Sequence, residues 1–322
     1  PWTLNPARSS AMSSFSWPRT AHVMRLPELD RIAIAGATGL VGVELQLILR
    51  SRGVRQDAIE TGGDIEACEL AFLAVPSAAA PALAETFIGR GATVIDLSAA
   101  SRELDDVPLV VPSLNGHLLD AAPRLIASPN CTATILVTAI APLKQFGITS
   151  LHVSTYQAIS GAGQAALREL EEGDPAESPI LGEPLAFNVF RHESAVDPNT
   201  GLTGEEHKLI SESRRLLDLP DLPIAATCMR VPVRRAHLES ITVHLERPVT
   251  PDDVTAALSG CDAITMLGDC SPTSLAAEGR DDVLVGHLRM NDPTSASLVA
   301  AGDQLRVGAA LNAVRIAERL PH

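Results

Sequence analysis

Hydrophobic patterning in this chain begins abruptly at residue 31. Ile32–Ala35 is a short apolar run that predicts a buried strand, and Leu40 to Arg50 repeats apolar side chains at helical spacing. Between them Gly36, Gly39 and Gly42 recur every third residue. Leu70–Val75 reads as a second strand leading into an alanine-rich helix around Ala78–Phe87, and Ala92–Ser98 and "LVVPSLN" read as two more strands. Strands alternating with helices imply an α/β fold with a parallel sheet and right-handed crossovers. After residue 131 the texture changes. "SLHVSTYQA", "IAATCMRVPV" and "LESITVHLERPV" alternate apolar and polar residues, as antiparallel strands with one covered face do. "LTGEEHKLISESRRLL" is a helix between them, and "LRVGAALNAVRIAERL" is a final helix, apolar at Ala309, Ala313, Ile316 and Leu320. At 322 residues the chain can hold two cores. The pattern divides it into 30–130 with the C-terminal helix 303–322, and 131–302, an α+β unit with an antiparallel or mixed sheet. No low-complexity linker separates the two, so a broad interface between them is expected.

Residues 1–29 lie outside this pattern. They carry Ser, Pro and Arg but no apolar run, which excludes a secretory signal. They read as a disordered extension, with Met12 or Met24 as alternative starts and a transit peptide as the weaker alternative. No segment reaches the roughly 18 apolar residues of a membrane helix. The formal net charge of −14 argues against a nucleic-acid surface but leaves room for a local positive pocket for an anionic ligand. Cys68, Cys131, Cys228, Cys261 and Cys270 are an odd set without metal-ligand spacing. That suits a reducing, cytoplasmic setting, no structural metal, and any special thiol acting alone.

One thiol does stand in a special place. In "ASPNCTATILV", Pro129 marks a boundary, Asn130 is a good capping residue, and the apolar positions that follow are three and four apart. Cys131 is therefore expected in the first turn of a helix, where free backbone N–H groups and the helix dipole lower a thiol pKa. The glycine turn at 36–42, set between a strand and a helix, is the context in which a dinucleotide pyrophosphate binds. Other residues are suggestive only in combination. Gln157 ends a strand before the Ser160-Gly161-Ala162-Gly163 turn. Arg230 and His237 lie seven apart, on opposite faces of any continuous strand, so the Pro232 segment must bend if both reach one pocket. Glu205 and Lys208 share one helical face and could be no more than a solvated ion pair. Arg102 follows a strand's C-terminal end, where open α/β sheets bind ligands.

Taken together and in this order, the blocks "GATGLVG", "DLSAASR", "PNCT", "STYQAISGAG", "AFNV", "TGEEHKLISESRRLL", "TCMRVPVRRAH" and "GAALN" resemble the aspartate-β-semialdehyde dehydrogenase family from about residue 31 to the C-terminus. The resemblance implies a Rossmann-type nucleotide-binding domain plus a catalytic and dimerisation domain, NADP as cofactor, inorganic phosphate as co-substrate, and a homodimer. The reaction it implies is reversible reduction of β-aspartyl phosphate to aspartate semialdehyde through a Cys131 thioester. By the same resemblance His237 is the acid/base, Gln157 orients the acyl group, and Arg230 binds the substrate α-carboxylate. Glu205 would hold the ammonium, and Arg102, Lys208 and Asn130 the phosphate. Gly36, Thr38, Gly39, Leu40 and Val41 would line the pyrophosphate turn, with Ser160, Gly161 and Asn312 near the nicotinamide.

The chain departs from the family on the cofactor side. "SRGVRQDAIETGGDIEACE" is short, and a hairpin with the arginine motif for an adenosine 2′-phosphate is missing or reduced. Either Arg52 or Arg55 substitutes, or Glu60 ends a residual strand and binds a ribose diol, which favours NAD. "LAVPS", Ser113 and Val307 are smaller departures. The alternatives are the related N-acetyl-γ-glutamyl-phosphate reductase and a non-catalytic homologue with an impaired nucleotide site.

Overall fold

The computed structural model describes residues 24–61, 65, 67–173 and 178–321. Its first layer is a five-stranded, all-parallel sheet in the order β2-β1-β3-β4-β5, made of β1 (Ile32–Ala35), β2 (Ile59–Glu60), β3 (Leu70–Leu73), β4 (Thr93–Asp96) and β5 (Leu125–Ala127). Every residue of β3 is buried, the pattern of a strand covered on both faces. The helices α1 (Leu40–Ser51) and α2 (Ala80–Gly89) follow their strands. "LVVPSLN" is not a strand. Leu109 makes one isolated bridge to Ala127, and Pro112, whose ring suits a first helical turn, starts the short helix α3 (Pro112–Asn115).

The chain then enters α4 (Cys131–Ile140), which is buried along almost its whole length. Next come β6 (Ile148–Gln157), α5 (Gln164–Glu172), β7 (Phe190–Arg191), α6 (Gly204–Leu217), β8 (Ile224–Arg230) and β9 (His237–Leu245). The last part comprises α7 (Pro251–Ser259), β10 (Ile264–Met266), α8 (Ser274–Ala277), β11 (Val283–Asp292), β12 (Ser295–Gly302) and α9 (Leu311–Arg319). These strands form a seven-stranded mixed sheet in the order β10-β11-β12-β9-β6-β8-β7. The three alternating strands are not all antiparallel: β6 runs antiparallel to β9 but parallel to β8, because α6 intervenes and returns the chain in the same direction.

Residues 1–23 of the expected extension lie outside the described residues, but 24–29 are ordered. Leu26 and Leu29 are buried, and the Met24 N–H donates to the Leu320 carbonyl. Leu26 and Leu29 belong to the same core cluster as Leu49 of α1 and Ile316 of α9.

The two sheets are joined by charge as well as by apolar packing. Buried Glu44 of α1 pairs with Arg235 (2.8 Å) and Arg306 (2.6 Å). Arg235 also pairs with Asp303 (2.7 Å), and Arg306 with Asp281 (2.6 Å). The N-terminal end of α1 is set by glycine. Gly36 has φ +83°, and a Cβ there would lie 2.1 Å from the Ala74 carbonyl oxygen; one on Gly42 would lie 2.2 Å from the Gly36 oxygen. In the centre of the second sheet, Glu239 is fully buried and neither carboxylate oxygen has a hydrogen-bond partner. Burial alone pushes its pKa well above the usual carboxylate range.

Two outcomes are expected. Gly42→Ala lowers stability by about 1–3 kcal/mol through overpacking, whereas Gly89→Ala, with nothing within 4 Å of the new Cβ, leaves the urea midpoint unchanged or raised. Glu239→Gln stabilises the protein more at pH 8 than at pH 5. The wild-type folded state keeps a proton there that the unfolded chain gives up above its ordinary carboxylate pKa, so wild-type stability falls as pH rises. Urea midpoints at the two pH values measure the difference.

Candidate active site

The site forms where the C-terminal ends of the parallel strands meet the N-terminus of α4. Asn130 caps that helix: its Oδ1 accepts from the Thr132 N–H at 2.9 Å. This leaves Cys131 as the first helical residue, half-buried, at the junction of two adjoining cavities of about 270 and 290 Å³. The Cys131 Sγ lies 3.4 Å from His237 Nε2. A larger cavity of about 660 Å³ lies elsewhere, lined by Ser113, Gln145, Asp253 and Cys261 among others. It holds no comparable nucleophile–base pair; burial raises the Cys261 thiol pKa.

Arg230 and His237 reach the same pocket because they are not on one strand. Arg230 ends β8, His237 starts β9, and the two strands flank β6, whose last residue is Gln157. The 231–236 segment crosses the end of β6 and bonds to it and to the turn beyond: Val231 N–H to Gln157 O, Ile159 N–H to Val233 O. Gly161 lies against both functional groups. A Cβ there would sit 3.0 Å from Arg230 Nη1 and 3.3 Å from His237 Cε1.

Glu205 and Lys208 are not a solvated pair. Glu205 is 4% exposed; its Oε1 accepts from Asn130 Nδ2 (3.0 Å) and Gln157 Nε2 (3.1 Å), and its Oε2 pairs with Lys208 Nζ at 3.4 Å. Burial acts to raise its pKa, but His192, Lys208, the Asn130 amide and Arg230 together hold it down to about 2. The Gln157 Oε1 accepts from Thr155 Oγ1 (3.0 Å), which fixes which way its amide faces. Arg102 is placed by the Asp96 carboxylate, which takes bonds from the Ser98 N–H (2.8 Å) and Ser101 Oγ (2.6 Å) within the 96–102 turn. The guanidinium pairs with Glu212 (3.1 Å) and donates to the Ser128 and Leu97 carbonyls. Three of its five donors are thus used, and it borders both cavities.

The resting protonation state differs from the sequence expectation. Burial, reinforced by the Glu205 charge, pushes the Cys131 thiol up to about 12 against the pull of Arg230, Arg102 and the Thr132 N–H. Desolvation here outweighs the helix start. Burial and the Arg230 charge lower His237 to about 3. The Ala158 N–H donates to His237 Nδ1 at 3.0 Å, so the neutral ring carries its proton on Nε2, aimed at the sulfur. A second proton, on Nδ1, would face that N–H. The ring is therefore set as a donor to the sulfur rather than as an acceptor of its proton.

On the cofactor side, α1 starts at Gly39 with no side-chain cap, so its first N–H groups are left for a ligand, and Gly39, Leu40 and Val41 line the cavity that ends at Cys131. Ser160 and Gly161 line it too. Together with the glycines that keep the turn close to the sheet, this cradle fits a pyrophosphate. Gly36 serves the turn from behind. Thr38 is exposed beside it, outside the cavity lining. Asn312 is not at the cavity: it is buried behind it, its Nδ2 donating to the Val110 carbonyl and Ser128 Oγ, both at 3.0 Å. Arg52 pairs with Glu318, and Arg55 with Asp30 and Asp57. Glu60 does end β2, with Arg31 at 3.5 Å.

Sequence reasoning missed His192, Glu193 and Gly308. His192 Nε2 lies 2.9 Å from Arg230 Nη2, and Glu193 pairs with the same guanidinium. A Cβ on Gly308 would sit 2.7 Å from the Cβ of Cys131, in a π-helical turn (Arg306–Ala310). The glycine of "GAALN" was the available signal; the other two follow a two-residue strand with no motif to mark them. Among the described residues no group of three His, Cys, Asp or Glu side chains could hold a metal ion, and no helix is long and apolar enough to cross a membrane.

Comparison with known proteins agrees with this architecture. A family model described as semialdehyde dehydrogenase, NAD binding domain, matches residues 52–122, and one described as semialdehyde dehydrogenase, dimerisation domain, matches 140–307. The aspartate-semialdehyde dehydrogenase of Synechocystis sp. is 35% identical over 333 residues, covering 92% of this chain and 98% of that protein. That of Bacillus subtilis is 32% identical over 335 residues, covering 90% and 96%. The crystal structure of aspartate semialdehyde dehydrogenase II from Vibrio cholerae superposes with a TM-score of 0.85 at 30% identity, over 89% of this chain and 97% of that one. With relatives at 32–35% identity matching over nine-tenths of its length and a thiol–imidazole contact on this fold, the chain belongs to the aspartate-semialdehyde dehydrogenase family.

Proposed function

We propose that this chain reduces β-aspartyl phosphate to aspartate semialdehyde, reversibly, with Cys131 as the nucleophile. The observation that carries the reading is the 3.4 Å contact between Cys131 Sγ and the Nε2–H of His237, in a cavity shared with Arg230, Glu205 and Lys208. Sulfur attack on the acyl carbon forms an S–C bond and breaks the C–O bond to phosphate, which leaves with the thiol proton. The Gln157 amide, held by Thr155 and Glu205, orients the resulting thioester. The Nε2–H of His237 supports negative charge on sulfur and on the adjacent oxygen as the carbonyl is attacked. A bound nicotinamide supplies the hydride. The Arg230 fork suits the α-carboxylate, Glu205 the ammonium, and Lys208 with the unused donors of Arg102 the phosphate.

The nicotinamide cofactor would lie on the uncapped start of α1 and extend past Ser160 and Gly161 to Cys131. Family resemblance points to NADP. Glu60 at the end of β2, with Arg52 and Arg55 engaged elsewhere, supports NAD instead, because a carboxylate suits a ribose diol and repels a 2′-phosphate. A homodimer is supported by the dimerisation-domain match and by the open face of the second sheet, where His152 and Tyr156 are exposed.

Three results are expected. Cys131→Ser loses at least about 10³-fold in phosphate-dependent oxidation of aspartate semialdehyde while nucleotide binding is retained. Arg230→Lys raises KM for the semialdehyde about ten-fold or more, since an ammonium cannot replace a bidentate fork; an unmoved KM removes Arg230 from the substrate site. Initial rates with both cofactors give a kcat/KM for NAD at least equal to that for NADP, and a strong NADP preference takes Glu60 out of the ribose site.

A further inference from the structure

The guanidinium assigned to the substrate carboxylate already holds a carboxylate. Arg230 Nε donates to Glu193 Oε2 at 2.9 Å and Nη2 to Oε1 at 2.7 Å, a parallel two-bond fork. The Nη1 of Arg230 donates to the Ala158 carbonyl at 3.2 Å, and the second N–H of Nη2 to His192 Nε2 at 2.9 Å. Four of the five donors are thereby used. The one that remains cannot grip a second carboxylate by two bonds. Arg230 is 2% exposed, whereas the Glu193 side chain is 24% exposed. Glu193 follows the short β7 in a stretch without regular structure and borders the same cavity of about 290 Å³ as Cys131 and His237.

We propose that Glu193 is a specificity-determining residue: in the free site its carboxylate holds the place of the substrate α-carboxylate, and binding exchanges one carboxylate for the other. The inference rests on the proposed reaction for the identity of the incoming group. The exchange has two physical consequences. A buried guanidinium without a partner is costly, so Glu193 keeps the free site charge-balanced until substrate arrives. Because Glu193 is on the solvent side of the pair, it is the member that can leave, regaining hydration as it does. An acyl phosphate or aldehyde without an α-carboxylate has nothing to offer Arg230 in return and leaves the fork closed. Discrimination then comes from a competitor built into the chain as much as from contacts to the right ligand.

The opposite role is also chemically possible: Glu193 could remain in place and join Glu205 in holding the substrate ammonium. The two roles have opposite signs on substitution. Under the exchange, Glu193→Gln lowers KM for aspartate semialdehyde about ten-fold, with kcat within about two-fold and KM for the nucleotide unchanged, because the neutral amide competes weakly for the fork. Glu193→Ala, checked for folding by thermal melting, moves KM in the same direction. A reading free of cofactor and turnover accompanies these: the concentration of L-aspartate that half-protects Cys131 from iodoacetamide falls by the same factor in both variants. KM values that stay put or rise, or an L-aspartate protection that is absent or no tighter in the variants, overturn the exchange. Absence of turnover in the wild-type chain instead overturns the proposed reaction, and the alkylation measurement still decides whether Glu193 competes with a carboxylate.

Discussion

A single buried carboxylate organises this site. Glu205, in the first turn of α6, accepts from the amide that caps α4 and from the amide that ends β6, and carries Lys208 one helical turn away. Three elements distant in sequence are thus held through one oxygen, Oε1, while Oε2 takes Lys208. Taking a carboxylate out of water is unfavourable unless its lone pairs are used, and here each oxygen has a partner. Acidic side chains at an N-terminus also suit the helix dipole, and Thr203 and Glu206 complete a capping box around it. The cap of α4 has further support, since the Asn130 N–H donates to Glu212 and its Oδ1 accepts from the Thr132 N–H.

The same burial explains why the resting thiol is not a thiolate. A helix start and two arginines favour the anion, yet enclosure and the Glu205 charge disfavour it more. His237 is likewise kept neutral, and the Ala158 N–H decides its tautomer. A bound anion would only add to the Glu205 effect, so the proton stays on the sulfur until the leaving group can take it.

Charge balance extends beyond the substrate pocket. The Glu44 carboxylate on the cofactor-side helix is shared by Arg235, in the crossover that delivers His237, and by Arg306, in the turn that delivers Gly308 to the back of Cys131. The cofactor-side helix, the imidazole and the wall behind the nucleophile are thereby tied to one ion cluster.

Much of this was legible in the chain. Periodicity located β1 and α1 to within a residue, and Pro-Asn before an apolar run placed Cys131 at a helix start, because such local signals need only neighbouring residues. "LVVPSLN" misled, since an apolar run followed by proline is equally compatible with a bridge and a short helix. Parallel pairing of β6 with β8 was invisible because alternation reports a covered face and not a strand's direction. The amino-acid sequence by itself determined most element types, the glycine turn and the placing of Cys131 at a helix start. Only the tertiary structure decided that Arg230 and His237 flank Gln157 from opposite sides, that the thiol rests protonated, and that Glu193 occupies the Arg230 fork. Each of those depends on distance through space and on exclusion of water, and neither is encoded in any local stretch of residues.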